Sequence, residues 1–184
     1  MEADTGLETK FCQFDDNPLR VIDGEVIKGY ASLFGATDQC GDIVVRGAYG
    51  RSLAQLAADG RRVKMLWQHD PAQPIGIWDE VREDGQGLYV KGRLLEGVDR
   101  AREAAALIAA GAIDGLSIGY RTVRASKNDK GRRLLQELEL WEVSLVTFPM
   151  LPSARVGGKG AACLHEVAAA LRAARREVAR DARH

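Results

Sequence analysis

The chain has 184 residues, with 26 basic and 26 acidic side chains that cancel to a formal net charge of zero. That length fits one domain with an appendage, large enough to bury a core without disulfide or metal staples. The charge balance excludes a dominant nucleic-acid footprint, and the longest apolar stretch, Ala104–Ala112, is too short to span a bilayer.

Three cysteines, Cys12, Cys40 and Cys163, are an odd number at wide spacing with no Cys-x-x-Cys pair. They indicate neither a zinc site nor a disulfide framework, and a reducing cytoplasm is the simplest compartment. No metal or organic cofactor is expected. Residues 1–16 carry acids and lack an apolar core segment, unlike a secretory signal.

Residues 1–9 are polar and read as a frayed leader. Lys10–Phe14 alternates like a short strand, and Val26–Phe34 reads as a second strand, with Gly29 marking a bulge or close approach. Asp38–Asp42 is a turn, followed by Ile43–Val45. A helix is predicted over Tyr49–Ala58, stopped by Gly60. Val63–Trp67 is a strand, after which Pro71 and Pro74 punctuate the chain.

Ile75–Val81 and Leu88–Leu94 form a predicted hairpin around Asp84–Gly87. Ala101–Ala110 is the clearest helix, with Asp99 near its start and Gly111 at its end. Leu116–Val123 is a strand and Ser126–Arg132 a charged turn. Arg133–Val146 is one long strand or a bent pair. Gly157–Gly160 reads as a hinge before an amphipathic helix, Cys163–Arg183. The pattern predicts a β-rich α+β fold: an N-terminal strand and leader over 1–25, a main domain over 26–156, and a hinge with a C-terminal helix over 157–184.

Three residues on strand-like segments supply a hydroxyl, an imidazole and a carboxylate: Ser117, His69 and Glu142. These are the parts of an activated serine nucleophile. Each has a plainer reading. A lone histidine at a strand end is more often structural than catalytic. A serine in an alternating strand is usually a tolerated polar position. Glu142 is the hardest to dismiss.

Alternation places Glu142 on a face with Leu138, Leu140, Ser144 and Val146. If that is the core face, the carboxylate needs a partner such as an imidazole N–H, and otherwise it faces solvent or pairs with an arginine. By the same rule His69 shares a face with Val63, Met65 and Trp67. Asp70 then points away, as a solvated acid or a cap before Pro71. Gly115 and Gly119 leave room beside Ser117 for a substrate backbone or for turns. Asp38 and Asp42 lack the histidine or cysteine neighbours of a metal site and read as turn formers.

The chain resembles the prohead (capsid-maturation) serine proteases of tailed bacteriophages. The resemblance rests on Gly29–Phe34, the segment from Asp38 to Tyr49, Leu66–Asp70 with Pro74–Gly76, Gly115–Tyr120 and Glu142–Pro149, in that order. His69 and Ser117 lie 48 residues apart, and Glu142 follows Ser117 by 25.

The resemblance implies a closed, mostly antiparallel barrel with surrounding helices, similar to the herpesvirus assemblins. It implies a serine endopeptidase with Ser117 as nucleophile, His69 as base and Glu142 as third member, where the assemblins use a histidine. It further implies cleavage of scaffold or major capsid protein extensions, and of the chain itself, inside the prohead in the host cytoplasm. A homodimer is expected, with no nucleic-acid or membrane partner. The other reading is a non-catalytic capsid-assembly module that keeps the fold.

Overall fold

The computed structural model describes residues 8–12, 20–22, 26–38 and 41–147. Within them the chain runs β1 (Glu8–Cys12), β2 (Arg20–Ile22), β3 (Val26–Leu33), β4 (Ile43–Val44), α1 (Gly50–Ala58), β5 (Lys64–Trp67), β6 (Asp70–Glu83), β7 (Gly87–Leu94), α2 (Asp99–Ala109), β8 (Gly115–Lys127) and β9 (Arg133–Val146). The expected Gly157–Gly160 hinge and Cys163–Arg183 helix lie outside the described residues, as do Phe14, Cys40 and Cys163.

The strands form one sheet in the order β1-β8-β9-β5-β6-β7-β3-β2, with β4 paired to β9. The ladders are antiparallel except where β4 and β5 run parallel to β9. The sheet curls until Cα atoms of β3 come within 8 Å of β1 and β8. No ladder joins these strands among the described residues. The result is a curled half-barrel, not the closed barrel that the resemblance implied.

The core fills the inside of the curl. Ile27, Val90, Met65, Ile118, Leu138, Leu140, Val143 and Leu145 are buried in one cluster, joined by Ala101, Ala104 and Ile108 of α2. Trp78 donates its indole N–H to the carbonyl of Val143 at 3.2 Å, so the largest core side chain keeps its polar atom satisfied.

The run from β4 through α1 to β5 lies along one edge of β9 and satisfies its amides in turn. Leu138 N–H donates to the Ala48 carbonyl and Leu140 N–H to Ser52 Oγ, both at 2.9 Å. Beyond them β5 takes over as a parallel ladder at Glu142–Leu145. An edge that would otherwise bury orphan donors is closed by a helix and two short strands. At the start of α1 the Tyr49 amide donates to Glu83 Oε1 at 2.8 Å, placing a carboxylate at the helix N-terminus.

Local departures from the sequence reading have local causes. β6 begins at Asp70 and includes Pro71 and Pro74, because its ladder with β5 jumps between Met65 and Trp67 and demands no amide from either proline. The irregularity expected at Gly29 falls at Ala31, between Tyr30 and Ser32. Asp38 Oδ1 accepts from the Asp42 amide at 2.7 Å, the turn role its sequence suggested.

Candidate active site

His69 does not continue β5. The strand ends at Trp67, which pairs with Asp70, and the two intervening residues, Gln68 and His69, have φ of 53° and 60°. Positive φ at both central positions of a two-residue hairpin is the signature of a type I′ turn, whose twist suits antiparallel strands. Neither residue is glycine, so the conformation costs on the order of 1 kcal/mol at each. Hydrogen bonds hold it: Gln68 N–H donates to the Leu145 carbonyl at 3.0 Å, and Gln68 Nε2 bonds Thr147 Oγ1. The imidazole is therefore aimed by a turn, not by alternation along the strand.

The carboxylate is set by a second irregularity. The β8–β9 ladder pairs Gly119 with Glu142 but Tyr120 with Leu140, so Trp141 is an extra residue in β9. This bulge resets the alternation. Leu138 and Leu140 join the core cluster together with Val143 and Leu145. Glu142 and Ser144 contact each other instead, with Ser144 Oγ donating to Glu142 Oε2 at 2.5 Å. Glu142 thus does not share the face of Leu138 and Leu140, as uninterrupted alternation required.

These two devices bring the three predicted residues together. His69 Nε2 lies 2.7 Å from Ser117 Oγ, and His69 Nδ1 lies 2.5 Å from Glu142 Oε1. An ionised carboxylate only accepts, so Nδ1 carries the proton and Nε2 presents its lone pair to the serine hydroxyl. Glu142 and Ser117 are 4% and 0% exposed, and the histidine side chain is the most accessible of the three at 17%.

Two further residues belong to this arrangement: Ser144, to which sequence reasoning gave no role, and Gly119, to which it gave a different one. Ser144 is fully buried, donates to Glu142, and accepts from the His69 backbone amide at 3.2 Å. It ties the histidine turn to the carboxylate. Its only sequence signal is its position two residues after Glu142. Gly119 is the other. A Cβ there would meet Glu142 Oε1 at 2.1 Å, so its missing side chain makes room for the carboxylate rather than for a substrate backbone.

The remaining acids are occupied elsewhere. Asp70 Oδ1 accepts from the Ala72 amide at 2.9 Å and Oδ2 from Gln73 Nε2 at 2.8 Å. The Ala72 amide first, and then Gln73, hold its carboxyl below the usual carboxylate range. Asp42 forms a bidentate pair with Arg133, whose Nη2 also reaches Glu8 Oε2 at 2.5 Å. The hydrogen bond to Asp42 is the main reason the guanidinium holds its proton more tightly than usual. No cluster of three or more metal-ligating side chains occurs among the described residues. No described helix is long and apolar enough to cross a membrane.

The fold is similar to that of the bacteriophage T4 capsid assembly protease gp21, with a TM-score of 0.57 over 76% of this chain and 94% of that one. At 16% identity the likeness is one of fold alone. The chain is 34% identical to the prohead protease of Enterobacteria phage HK97 over 146 residues, 76% of its own length. It spans 64% of the length of that relative. Residues 16–167 match the family described as caudovirus prohead serine protease. By that match, which takes in His69, Ser117 and Glu142, the chain belongs to the caudovirus prohead serine protease family.

Proposed function

We propose that the chain is a serine endopeptidase that cleaves scaffold or major capsid protein extensions, and itself, during prohead maturation in the host cell. The observation that carries this reading is the continuous hydrogen-bonded relay Ser117–His69–Glu142 at 2.7 and 2.5 Å. Family membership and the name of the HK97 relative support it, and the fold shared with the T4 capsid assembly protease is consistent with it.

In this reading His69 Nε2 takes the hydroxyl proton as Ser117 Oγ attacks the peptide carbonyl, and later returns it to the leaving amine. Glu142 keeps the imidazole in the required tautomer and stabilises its cationic form. Ser144 holds the second carboxylate oxygen, so Glu142 stays aimed when charge develops on the ring. The likeness to herpesvirus assemblins and a homodimeric state are part of the same proposal. Because Ser117 is fully buried, the chain around it has to move before a substrate carbonyl reaches Oγ.

The test is co-expression with the neighbouring capsid genes, followed by mass spectrometry of the capsid protein and of the chain itself. Shortening by the wild type that stops in Ser117→Ala supports the protease. Equal shortening by both proteins removes Ser117 from the chemistry. An assembled shell with no cleavage by either protein favours the non-catalytic assembly module.

A further inference from the structure

Val123 and Trp141 are two of only three large hydrophobic side chains exposed among the described residues, at 51% and 41%. Both line one groove of about 510 Å³ between α1 and strands β8 and β9, with Leu56 of α1 beside them. An apolar surface at the bulge that positions Glu142 has no role in the relay.

The charge around this groove is unbalanced. Arg51 is paired with Glu137 at 3.1 Å and Arg121 with Glu139 at 2.5 Å, which accounts for two cations and two acids. Arg61, Arg62 and Lys64 also line the groove, are exposed, and have no ion pair among the described residues. Asp59 is the one remaining acid, and its carboxylate accepts from Gln55 Nε2 at 2.8 Å. Three free cations beside an apolar floor complement a ligand with the opposite charge and an apolar anchor.

Its position supplies the occupant. Ser117, Gly119, Arg121 and Val123 follow one another at alternate positions of β8, so the groove begins two residues beyond the glycine under Glu142. At about 3.3 Å per strand residue, Arg121 lies roughly 13 Å along the strand from the nucleophile.

We infer that this groove is an exosite for an acidic segment of the protein substrate, which seats an apolar side chain against Trp141 and Val123 and sets its carboxylates against Arg61, Arg62 and Lys64. The inference rests on the protease reading for calling the ligand a substrate. The groove's preference for acid plus apolar chemistry stands without that reading.

Binding is measured on the full-length Ser117→Ala protein, so the probe stays intact. The probe is a fluorescein-labelled dodecapeptide of alternating Glu and Leu. One comparator carries Lys for Glu and a second carries Ser for Leu. Saturable binding of the acidic apolar probe is expected, weakened about tenfold or more for either comparator, by Trp141→Ala, and by the Arg61→Glu, Arg62→Glu double variant.

Circular dichroism confirms that each variant is folded, and Trp141→Phe restores binding if an apolar ring is what matters. Equal binding of the three peptides, or unchanged binding by the folded variants, overturns the exosite. So does a solution mass that shows a dimer dissolved by Trp141→Ala, because a second copy then covers the groove. Cleavage of a short peptide by the wild type is assayed separately. Its absence would tell against the protease reading while the binding result still decides the groove.

Discussion

The missing side chain of Gly119 is the space in which the carboxylate of Glu142 sits: an ideal Cβ would stand 2.1 Å from Oε1 and 2.8 Å from Cδ. Gly119 and Glu142 are ladder partners across β8 and β9, so neither backbone retreats without breaking the sheet that also carries Ser117 and Ser144. Gly119→Ala is expected to push the carboxylate off His69 Nδ1. Proteolysis should fall steeply while the stability loss stays at about 1–3 kcal/mol, the usual cost of overpacking. Turnover and thermal melting of the same preparation check this. Full activity in Gly119→Ala would show that Glu142 does not need that position.

Ser117→Ala and His69→Ala are each expected to reduce peptide-bond cleavage by on the order of 10⁶, the scale seen when a nucleophile or its base is removed. Both should fold. Ser117→Ala loses one hydroxyl, and the turn that carries His69 is held by bonds of its two backbone amides to Leu145 and Ser144, which the imidazole does not make. Single-turnover cleavage of a capsid-protein peptide, with circular dichroism alongside, is the measurement. The double variant should be no worse than either single one, because the two residues act as one unit.

Glu142→Gln is expected to cost less, about 10⁴, since an orienting acid contributes less than the nucleophile or base. Ser144→Ala removes one hydrogen bond to a charged group and should lower kcat by about tenfold with KM unchanged. A Glu142→Gln protein with full activity, set beside an inactive Asp70→Asn, would move the third member to Asp70.

The β6–β7 turn has a pH dependence of defined sign. Burial pushes the Asp84 carboxyl up, but hydrogen bonds from the Gln86 amide, the Tyr30 hydroxyl, the Gly87 amide and Arg82 outweigh it and hold the group below the usual carboxylate range. A depressed folded-state pKa adds stability above the unfolded value of about 3.9, which is lost as pH falls through the folded value. The melting temperature of wild type should exceed that of Asp84→Asn at pH 7, and the gap should shrink in acid. A gap that widens on acidification would reverse the assignment.

Periodicity and punctuation were enough to locate the elements. Helix α1 ends before Gly60 and α2 before Gly111, both at positive φ, because those stops are local backbone chemistry. The strand at Val63–Trp67 and the hairpin around Asp84–Gly87 were legible for the same reason. So were the three residue types of the candidate site, because hydroxyl, imidazole and carboxylate on apolar segments stand out without any geometry.

The aim of those groups was not legible, since it depends on partners far away in sequence. The Gln68–His69 turn is held by Ser144, Leu145 and Thr147, so the contacts that compensate its positive φ span 75 to 79 positions. The bulge at Trp141 becomes visible only when β9 is laid against β8, so alternation read along β9 alone put Glu142 on the wrong face. That no ladder joins β1 to β2 or β3 among the described residues likewise depends on how far the sheet twists and curls, a sum over all its ladders that no segment of the chain encodes by itself.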